Sequence, residues 1–245
     1  MEKTIKKLGR DEKGFTLVEL AVVMIIIGVL IGGVLKGQEM ITNARVTTTA
    51  AELESFQAAM NAFQDKYNSF PGDMASASTR IAGCATQVLC NTESGNGNGR
   101  LETGLDDATA DEALEFFGQL AAAGYISGVS GNAAAFAAGV TNPNGKLPST
   151  IYKVADAADG VGNFTYASTS RHYIILDGIT DRTAASSGRL DNLQASTIDR
   201  KLDDGNPQSG VVLGQNLATD CVFVFNSSSY DETDLNKLCA IAYRL

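Results

Sequence analysis

Residue types that mark several common protein classes are scarce in this sequence. The chain has no tryptophan and one histidine, and its four cysteines form no Cys-x-x-Cys pair. A zinc site built from histidine and cysteine is therefore not supported. The Gly-x-Ser-x-Gly, Walker A and His-Glu-x-x-His motifs are also missing, so His172 is expected to have a structural or surface role. We predict that the chain is not an enzyme.

Basic residues are also fewer than acidic ones. The chain has 19 Lys and Arg residues against 28 Asp and Glu residues, for a net charge of −9. Nucleic-acid binding depends on a cationic surface, so a nucleic-acid partner is not expected. Only one apolar segment is long enough to span a membrane, and the rest of the chain is rich in Ala, Gly, Ser, Thr and Asn. That composition favours a loop-rich head over a second span.

The main feature of the sequence is the apolar segment at residues 15–35, which is interrupted by one carboxylate, Glu19. An α-helix of this length covers about 30 Å, the thickness of the hydrocarbon core of a bilayer. A carboxylate inside a span costs about 3 kcal/mol on insertion scales. Glu19 is therefore expected to have a function and a positively charged partner.

The charges next to the span predict its orientation. The first 14 residues contain five basic and three acidic residues. Basic flanks stay on the cytoplasmic side of a membrane, so residues 1–14 are expected in the cytoplasm. Everything after about Lys36 is then expected in an oxidising compartment outside the inner membrane.

The residues Gly14-Phe15-Thr16-Leu17-Val18-Glu19, after a basic leader and before an apolar helix, resemble the processing site of type IV prepilins and type II secretion pseudopilins. The resemblance is close as far as about Pro71. It implies that a prepilin peptidase cuts between Gly14 and Phe15 and methylates the new amine of Phe15. Because the leader carries a net charge of +2, its removal takes the net charge from −9 to −11.

The resemblance also implies assembly with other pilin or pseudopilin subunits. Mature subunits would leave the membrane at an inner-membrane assembly platform and polymerise through this helix into a cell-surface filament or a pseudopilus. Glu19 would neutralise the Phe15 ammonium of a neighbouring subunit, which makes a buried charge tolerable. Many relatives carry a proline about where Lys36 stands, and its absence here leaves the shape of the helix open.

An amphipathic stripe continues beyond the apolar segment. Apolar residues recur every three or four positions from Leu53 to Phe70, with polar residues between them. The sequence Phe70-Pro71-Gly72-Asp73 is expected to end the helix, because proline stops a helix. One continuous helix is therefore predicted from Phe15 to about Asn68.

The remaining residues are predicted to form a globular head. Thr109 and Glu112 have capping-box spacing before a short helix with an apolar face, and a second helix over residues 191–202 would be capped by Asp191. Short strands are predicted at residues 151–155, 163–167, 173–176, 211–213, 222–225 and 240–243. The predicted fold class is α+β, with the long helix packed on an antiparallel sheet as in pilins.

The glycine run Ser94-Gly95-Asn96-Gly97-Asn98-Gly99 is expected to be a turn or a flexible loop. It lacks the Lys-Ser/Thr pair of a phosphate-binding loop. It also lies between no evident strand and helix, so a phosphate-binding role is not supported.

Four cysteines in an exported domain predict two disulfides among Cys84, Cys90, Cys221 and Cys239. Three pairings are possible, and the local ones, Cys84–Cys90 and Cys221–Cys239, are favoured. The second closes a loop near the C-terminus, where pilins commonly have a disulfide-bounded region. Such a loop contributes about 3 kcal/mol in the chain-entropy model.

Candidate calcium ligands cluster after the second predicted helix of the head: Asp199, Asp203, Asp204 and Asn206. Carboxylate and amide oxygens are the ligands that calcium takes. Some pseudopilins hold calcium in a C-terminal loop, so the resemblance supports this site. The spacing does not match an EF-hand, and the neighbouring Arg200 and Lys201 offer the acids an alternative pairing. No other cofactor is expected.

These observations divide the chain into a leader (residues 1–14), a transmembrane and assembly helix (15–35), its amphipathic continuation (36–70) and a periplasmic or extracellular head (71–245). The function they favour is a structural subunit of a type IV pilus or pseudopilus. A minor tip pilin, acting as an adhesion or substrate-binding module, is the alternative. A membrane-anchored hydrolase is a further alternative, but no motif supports it.

Overall fold

The computed structural model describes residues 14, 16–91, 95–101, 112–133, 136–157, 164, 167, 172–178, 189–215, 221–222, 228–233 and 238–245. It divides into two compact units, Met1–Asn43 and Ala44–Leu245. Helix α1, Leu17–Tyr67, contributes residues to both units. Residues 1–13 of the predicted leader, and Phe15, lie outside the described residues.

Helix α1 is 51 residues long and unbroken. Its first part has no proline that would remove a backbone hydrogen bond, and its glycines do not interrupt it. From residue 46 onward one face becomes buried, and the buried apolar residues keep the spacing of the predicted stripe: Val46, Ala50, Leu53, Phe56, Ala59, Met60 and Phe63. The continuous helix is therefore confirmed.

The helix ends three residues before Phe70. Asn68 has a φ of 51°, in the left-handed region that asparagine tolerates better than most residues, and its N–H still donates to the carbonyl of Gln64 (2.7 Å). The guanidinium of Arg80 donates to the carbonyl of Tyr67. The turn at Asn68 thus stops the helix before proline is reached.

The head contains short helices and strands in mixed order. Its helices are α2, Ala77–Arg80; α3, Glu112–Ala122; and α4, Asn192–Leu202. Its strands are β1, Thr150–Asp156; β2, His172–Gly178; β3, Leu190–Asp191; β4, Val212–Gly214; β5, Leu238–Cys239; and β6, Ile241–Arg244. Short 3-10 turns cover Ala82–Thr86 and Leu89–Asn91.

Most of the predicted short elements are present. Asp191 caps α4 as predicted: its side chain accepts from the N–H of Gln194, and the Gln194 side chain accepts from the N–H of Asp191. Most of the strands predicted at 163–167 and 222–225 lies outside the described residues. So does Thr109, the predicted cap of α3.

Four strands form an antiparallel sheet in the order β1-β2-β6-β4, and β3 pairs with β5 in a second, two-stranded sheet. One face of the larger sheet packs against the buried side of α1 and against α3. Phe56 lies at the centre of this contact, edge-on to Tyr152 at 4.9 Å and to Phe117 at 5.5 Å. The α+β architecture with a long helix on an antiparallel sheet is therefore confirmed, and it is pilin-like.

Two polar contacts join α1 to the same sheet. The hydroxyl of Tyr152 donates to Oε2 of Glu52 (2.8 Å), and the hydroxyl of Tyr243 donates to Oε1 of Gln57 (2.7 Å). Lys146 pairs with the other oxygen of Glu52 at 3.1 Å. The tyrosine rings pack in the core while their hydroxyls find acceptors on α1, which sets the position of α1 on the sheet.

Candidate functional site

The start of α1 is organised by Thr16 and Glu19. The Thr16 N–H and hydroxyl both donate to Oε2 of Glu19 at 2.9 Å, and the Glu19 N–H donates to the Thr16 hydroxyl at 3.2 Å. This is a capping box, in which two side chains satisfy backbone donors that the first turn leaves open. Gly14, on the N-terminal side of the predicted cleavage point, is exposed. The carboxylate of Glu19 therefore lies three residues after Thr16, at the first turn of the helix.

The turns that follow present an apolar surface. Large apolar side chains between Leu17 and Leu35 are 43–87% exposed. By length and composition α1 is able to cross a membrane, and it is the one such helix among the described residues. An exposed apolar helix of this kind fits the single-pass membrane anchor typical of pilins.

Both disulfides of the head have the local pairing. Cys84 is bonded to Cys90, and Cys221 is bonded to Cys239. All four cysteines are fully buried. The first bond lies beside α2 and the second joins residue 221 to β5, so each one closes a short segment of the head.

The predicted calcium ligands are brought together in part. Carboxylate oxygens of Asp199, Asp203 and Asp204 lie within 4.8 Å of one another. The amide oxygen of Asn206 accepts from the N–H of Gln208 at 3.1 Å. Arg200 pairs with Glu232 rather than with these acids, so that part of the alternative pairing is wrong.

The carboxylates of the cluster already accept hydrogen bonds from the protein. Asp199 accepts from the Tyr230 hydroxyl (2.9 Å) and the Gly205 N–H (3.0 Å), and Asp203 accepts from the N–H groups of Val211 and Val212. Burial raises the pKa of Asp199 to about 6, although the bonds from Tyr230 and Gly205 act in the opposite direction. Calcium binding at this cluster stays a prediction.

The glycine run forms a loop around one carboxylate. Asp73, which is 1% exposed, accepts hydrogen bonds at Oδ1 from the N–H groups of Gly97 (2.7 Å) and Asn98 (3.1 Å), and at Oδ2 from the N–H of Gly99 (2.7 Å). A buried carboxylate that accepts hydrogen bonds from three backbone N–H groups needs no water as a partner. The loop is therefore structural, in line with the turn that the sequence predicts.

His172 has a structural environment next to this loop. Its Nε2 lies 3.3 Å from the carbonyl oxygen of Gly99, its Nδ1 lies 3.1 Å from Oδ2 of Asp156, and its ring is edge-on to Phe70 at 4.6 Å. Burial lowers the pKa of His172, while Asp156 acts in the opposite direction. Buried between a loop and a strand, His172 helps to hold the head together.

Sequence analysis missed two of these arrangements. The capping box was visible as Thr16-x-x-Glu19, a four-residue signature before an apolar run. The partnership between Asp73 and the glycine loop had no local signal, because 24 to 26 residues separate the carboxylate from its donors.

The comparisons with known proteins identify one segment. The prokaryotic N-terminal methylation motif matches residues 9–35. Neither the curated proteins nor the solved structures contain a match to the chain. The matched segment includes Gly14, Thr16 and Glu19, and it ends where the apolar part of α1 ends. Residues 9–35 are therefore the prepilin-type cleavage and methylation segment found in type IV pilins and pseudopilins.

Proposed function

We propose that this chain is a structural subunit of a type IV pilus or a pseudopilus. The observation that carries the proposal is the methylation segment at residues 9–35, of which residues 17–35 form the first part of helix α1. A subunit that polymerises through its N-terminal helix needs an apolar surface on that helix and a head fixed to its later turns. Both features are present, in the exposed residues of α1 up to Leu35 and in its buried residues from Val46 onward.

In this proposal a prepilin peptidase cuts between Gly14 and Phe15 and methylates the Phe15 amine. The uncut chain lies in the inner membrane with its basic leader in the cytoplasm and its head in the periplasm. The assembly platform then moves the cut chain into the filament. Glu19 pairs with the Phe15 ammonium of a neighbouring subunit, because a carboxylate buried among apolar helices needs a positive partner.

Cleavage at Gly14 is the step that tests this proposal most directly. The full-length chain is co-expressed with a prepilin peptidase, and the N-terminus of the product is determined by mass spectrometry. We expect a product that begins with N-methylated Phe15. A Gly14→Leu variant should remain uncut, because its side chain obstructs the junction, whereas Gly9→Leu, elsewhere in the leader, should be cut normally. A wild-type product that keeps residues 1–14 would contradict the proposal.

A cavity in the head favours a second candidate, a minor tip pilin with a binding role. The cavity has a volume of about 590 Å³ and lies where α1 ends. Gln64, Asn68, Phe70 and Arg80 are among its lining residues, and this size is typical of ligand sites. Immunogold labelling of filaments separates the two roles, because a major subunit is labelled along the whole shaft and a tip subunit at one end.

A further inference from the structure

Two asparagine–glycine pairs lie next to each other in the loop around Asp73. Gly97 and Gly99 have φ values of +76° and +84°, a region that side-chain-bearing residues rarely adopt. Gly95 lies against the chain itself, since a Cβ there would be 2.6 Å from the carbonyl carbon of Asp73. The shape of the loop therefore requires glycine at these positions, and it places a glycine directly after Asn96 and after Asn98.

An asparagine followed by glycine is chemically labile. The backbone nitrogen of the glycine attacks Cγ of the asparagine, a C–N bond closes a five-membered succinimide ring, and ammonia leaves with the amide proton. Water then opens the ring to aspartate or isoaspartate. Glycine favours this reaction because it has no side chain to obstruct the attack, and asparagine is for this reason among the thermolabile residues.

In this loop both attacking nitrogens are held by Asp73. The Gly97 N–H donates to Oδ1 of Asp73 at 2.7 Å and to its carbonyl oxygen at 2.9 Å. The Gly99 N–H donates to Oδ2 at 2.7 Å. The nitrogen must lose this proton before it can attack, and a proton bound to the Asp73 carboxylate is harder to remove.

The two asparagine side chains are held as well. Oδ1 of Asn96 accepts from the N–H of Asn98 at 2.9 Å, and Oδ1 of Asn98 accepts from the N–H of Arg100 at 2.8 Å. Each side chain is thus directed at the second residue after it rather than at the glycine nitrogen that follows it. Ring closure at either pair requires the loop to open first.

We infer that Asp73 protects the bonds Asn96–Gly97 and Asn98–Gly99 from succinimide formation. This protection keeps the glycine loop chemically intact in an exported protein. The loop needs glycines for its shape, and those glycines create two deamidation sites. Asp73 offsets that liability by binding the nitrogen of each. Deamidation would place a new carboxylate beside the Asp73 carboxylate, and the isoaspartate product would also add a methylene to the backbone.

A third pair, Asn144-Gly145, provides an internal reference. The Gly145 N–H donates to the carbonyl oxygen of Thr150 at 2.8 Å, so its nitrogen is held by a residue other than Asp73. Deamidation at Asn144 therefore reports on opening of the head in general. Deamidation at Asn96 and Asn98 reports on opening of the Asp73 loop.

The test compares the wild type with Asp73→Ala, both as full-length protein in detergent micelles. Each is incubated at mildly alkaline pH, and deamidation at the three asparagines is followed by peptide mapping and mass spectrometry. Asp65→Asn is the matched control, because Asp65 lines the same cavity as Gly97 and Gly99. In the described part of the loop, the hydrogen bonds from the N–H groups of residues 97–99 go to Asp73 and Asn96 and not to Asp65. Urea-denatured wild type gives the unprotected rate.

We expect slow deamidation at all three sites in the wild type and in Asp65→Asn. In Asp73→Ala the rates at Asn96 and Asn98 should rise about tenfold or more, because one hydrogen bond to a charged group is already sufficient for such a factor. The rate at Asn144 should not change. Asp73→Asn, which keeps one acceptor oxygen, should give an intermediate rise.

Two results would overturn the inference. One is a wild-type rate at Asn96 or Asn98 equal to that of the denatured chain. The other is an Asp73→Ala variant in which the rates at Asn96 and Asn98 do not rise relative to the rate at Asn144. The comparison with Asn144 also detects a variant that has misfolded, because general unfolding accelerates deamidation at all three sites. The proposal requires acceleration at Asn96 and Asn98 without acceleration at Asn144.

Discussion

Thr16 and Glu19 form three hydrogen bonds with each other at the first turn of α1. The N–H and hydroxyl of Thr16 each donate to the Glu19 carboxylate at 2.9 Å, and the Glu19 N–H donates to the Thr16 hydroxyl at 3.2 Å. Glu19 therefore has two tasks that the sequence alone does not separate. Its oxygens cap the helix within the subunit, and its charge is available to the amine of a neighbouring subunit in the proposed filament. Variants that remove one of these properties at a time distinguish them.

We predict that the charge of Glu19, and not its capping bond, is what assembly requires. Glu19→Gln keeps a capping residue and removes the charge, whereas Thr16→Ala removes the capping hydroxyl and keeps the charge. An amine left unpaired among apolar helices is costly, so Glu19→Gln and Glu19→Ala should each lower the yield of sheared filaments about tenfold or more. Thr16→Ala should lose about 1 kcal/mol of helix stability and still assemble.

The readouts are the ratio of precursor to mature chain on immunoblots and the quantity of filament recovered after shearing. Cleavage should be largely unaffected in all three variants, since the peptidase reads the residues around Gly14. Wild-type filament yield from Glu19→Gln would show that the amide is sufficient and that assembly does not require the charge of Glu19.

The long helix and its apolar stripe could be predicted because each depends on a short period in the sequence. Leu53, Phe56, Met60 and Phe63 are buried as the stripe requires. The observed end at Tyr67 agrees with the end predicted at about Asn68. The way in which the helix ends could not be predicted, since the left-handed conformation of Asn68 and the bond from Arg80 to the Tyr67 carbonyl depend on the folded head and not on the proline.

The second face of the sheet shows the same limit. Lys153 and Asp177 form an ion pair of 3.0 Å and are 1% and 0% exposed. Alternation along a strand predicts that charged residues face water, but this face also carries Ile175 and Tyr173 and packs against Phe164. Long connections decide which parts of the chain cover a sheet face. These connections have no periodic pattern, so their positions could not be predicted from the sequence.

The contact of α1 with the sheet leads to a prediction about stability. Tyr152→Phe removes the hydroxyl that donates to the carboxylate of Glu52, and a hydrogen bond to a charged acceptor contributes about 1.5–3 kcal/mol. Tyr243→Phe removes a donor to the neutral amide of Gln57, a bond that contributes about 0.5–1.5 kcal/mol. Urea denaturation of the full-length protein in micelles should therefore show the larger loss for Tyr152→Phe.

The double variant Tyr152→Phe with Glu52→Ala tests whether the two groups contribute through one shared bond. Removing both partners should cost less than the sum of the single losses, because the two groups then share one lost bond. Additive losses would mean that the hydroxyl of Tyr152 and the carboxylate of Glu52 act independently.

Asp199 predicts a pH dependence of unfolding. Its pKa is raised to about 6 in the folded head, above the ordinary value of 3.8, chiefly by burial. Between these values the folded state binds a proton that the unfolded state has lost, so this group's contribution to the free energy of unfolding falls as the pH rises from about 4 to about 6. Below and above that window its contribution is constant.

The comparison that isolates this contribution is wild type against Asp199→Asn in a calcium-free buffer. The free energy of unfolding of the wild type, minus that of Asp199→Asn, should fall by about 1–2 kcal/mol between pH 4 and pH 6. This figure is smaller than the full pKa shift would give, because solvent screens the charge. Tyr230→Phe removes a bond that lowers the pKa of Asp199, so it should extend the window above pH 6. A difference that is flat from pH 4 to pH 6 would contradict the raised pKa.

Calcium acts on the same carboxylate with the opposite sign, which makes the pH slope a test of the calcium prediction. Calcium binds the ionised form of Asp199, so a bound ion would stabilise the head increasingly as the pH rises through the window. If Asp199, Asp203 and Asp204 hold calcium, adding the ion should reverse the fall in the wild type and leave Asp199→Asn unchanged. If calcium does not alter the pH dependence of the free energy of unfolding, the calcium prediction is wrong. Burial is then enough to explain the raised pKa of Asp199.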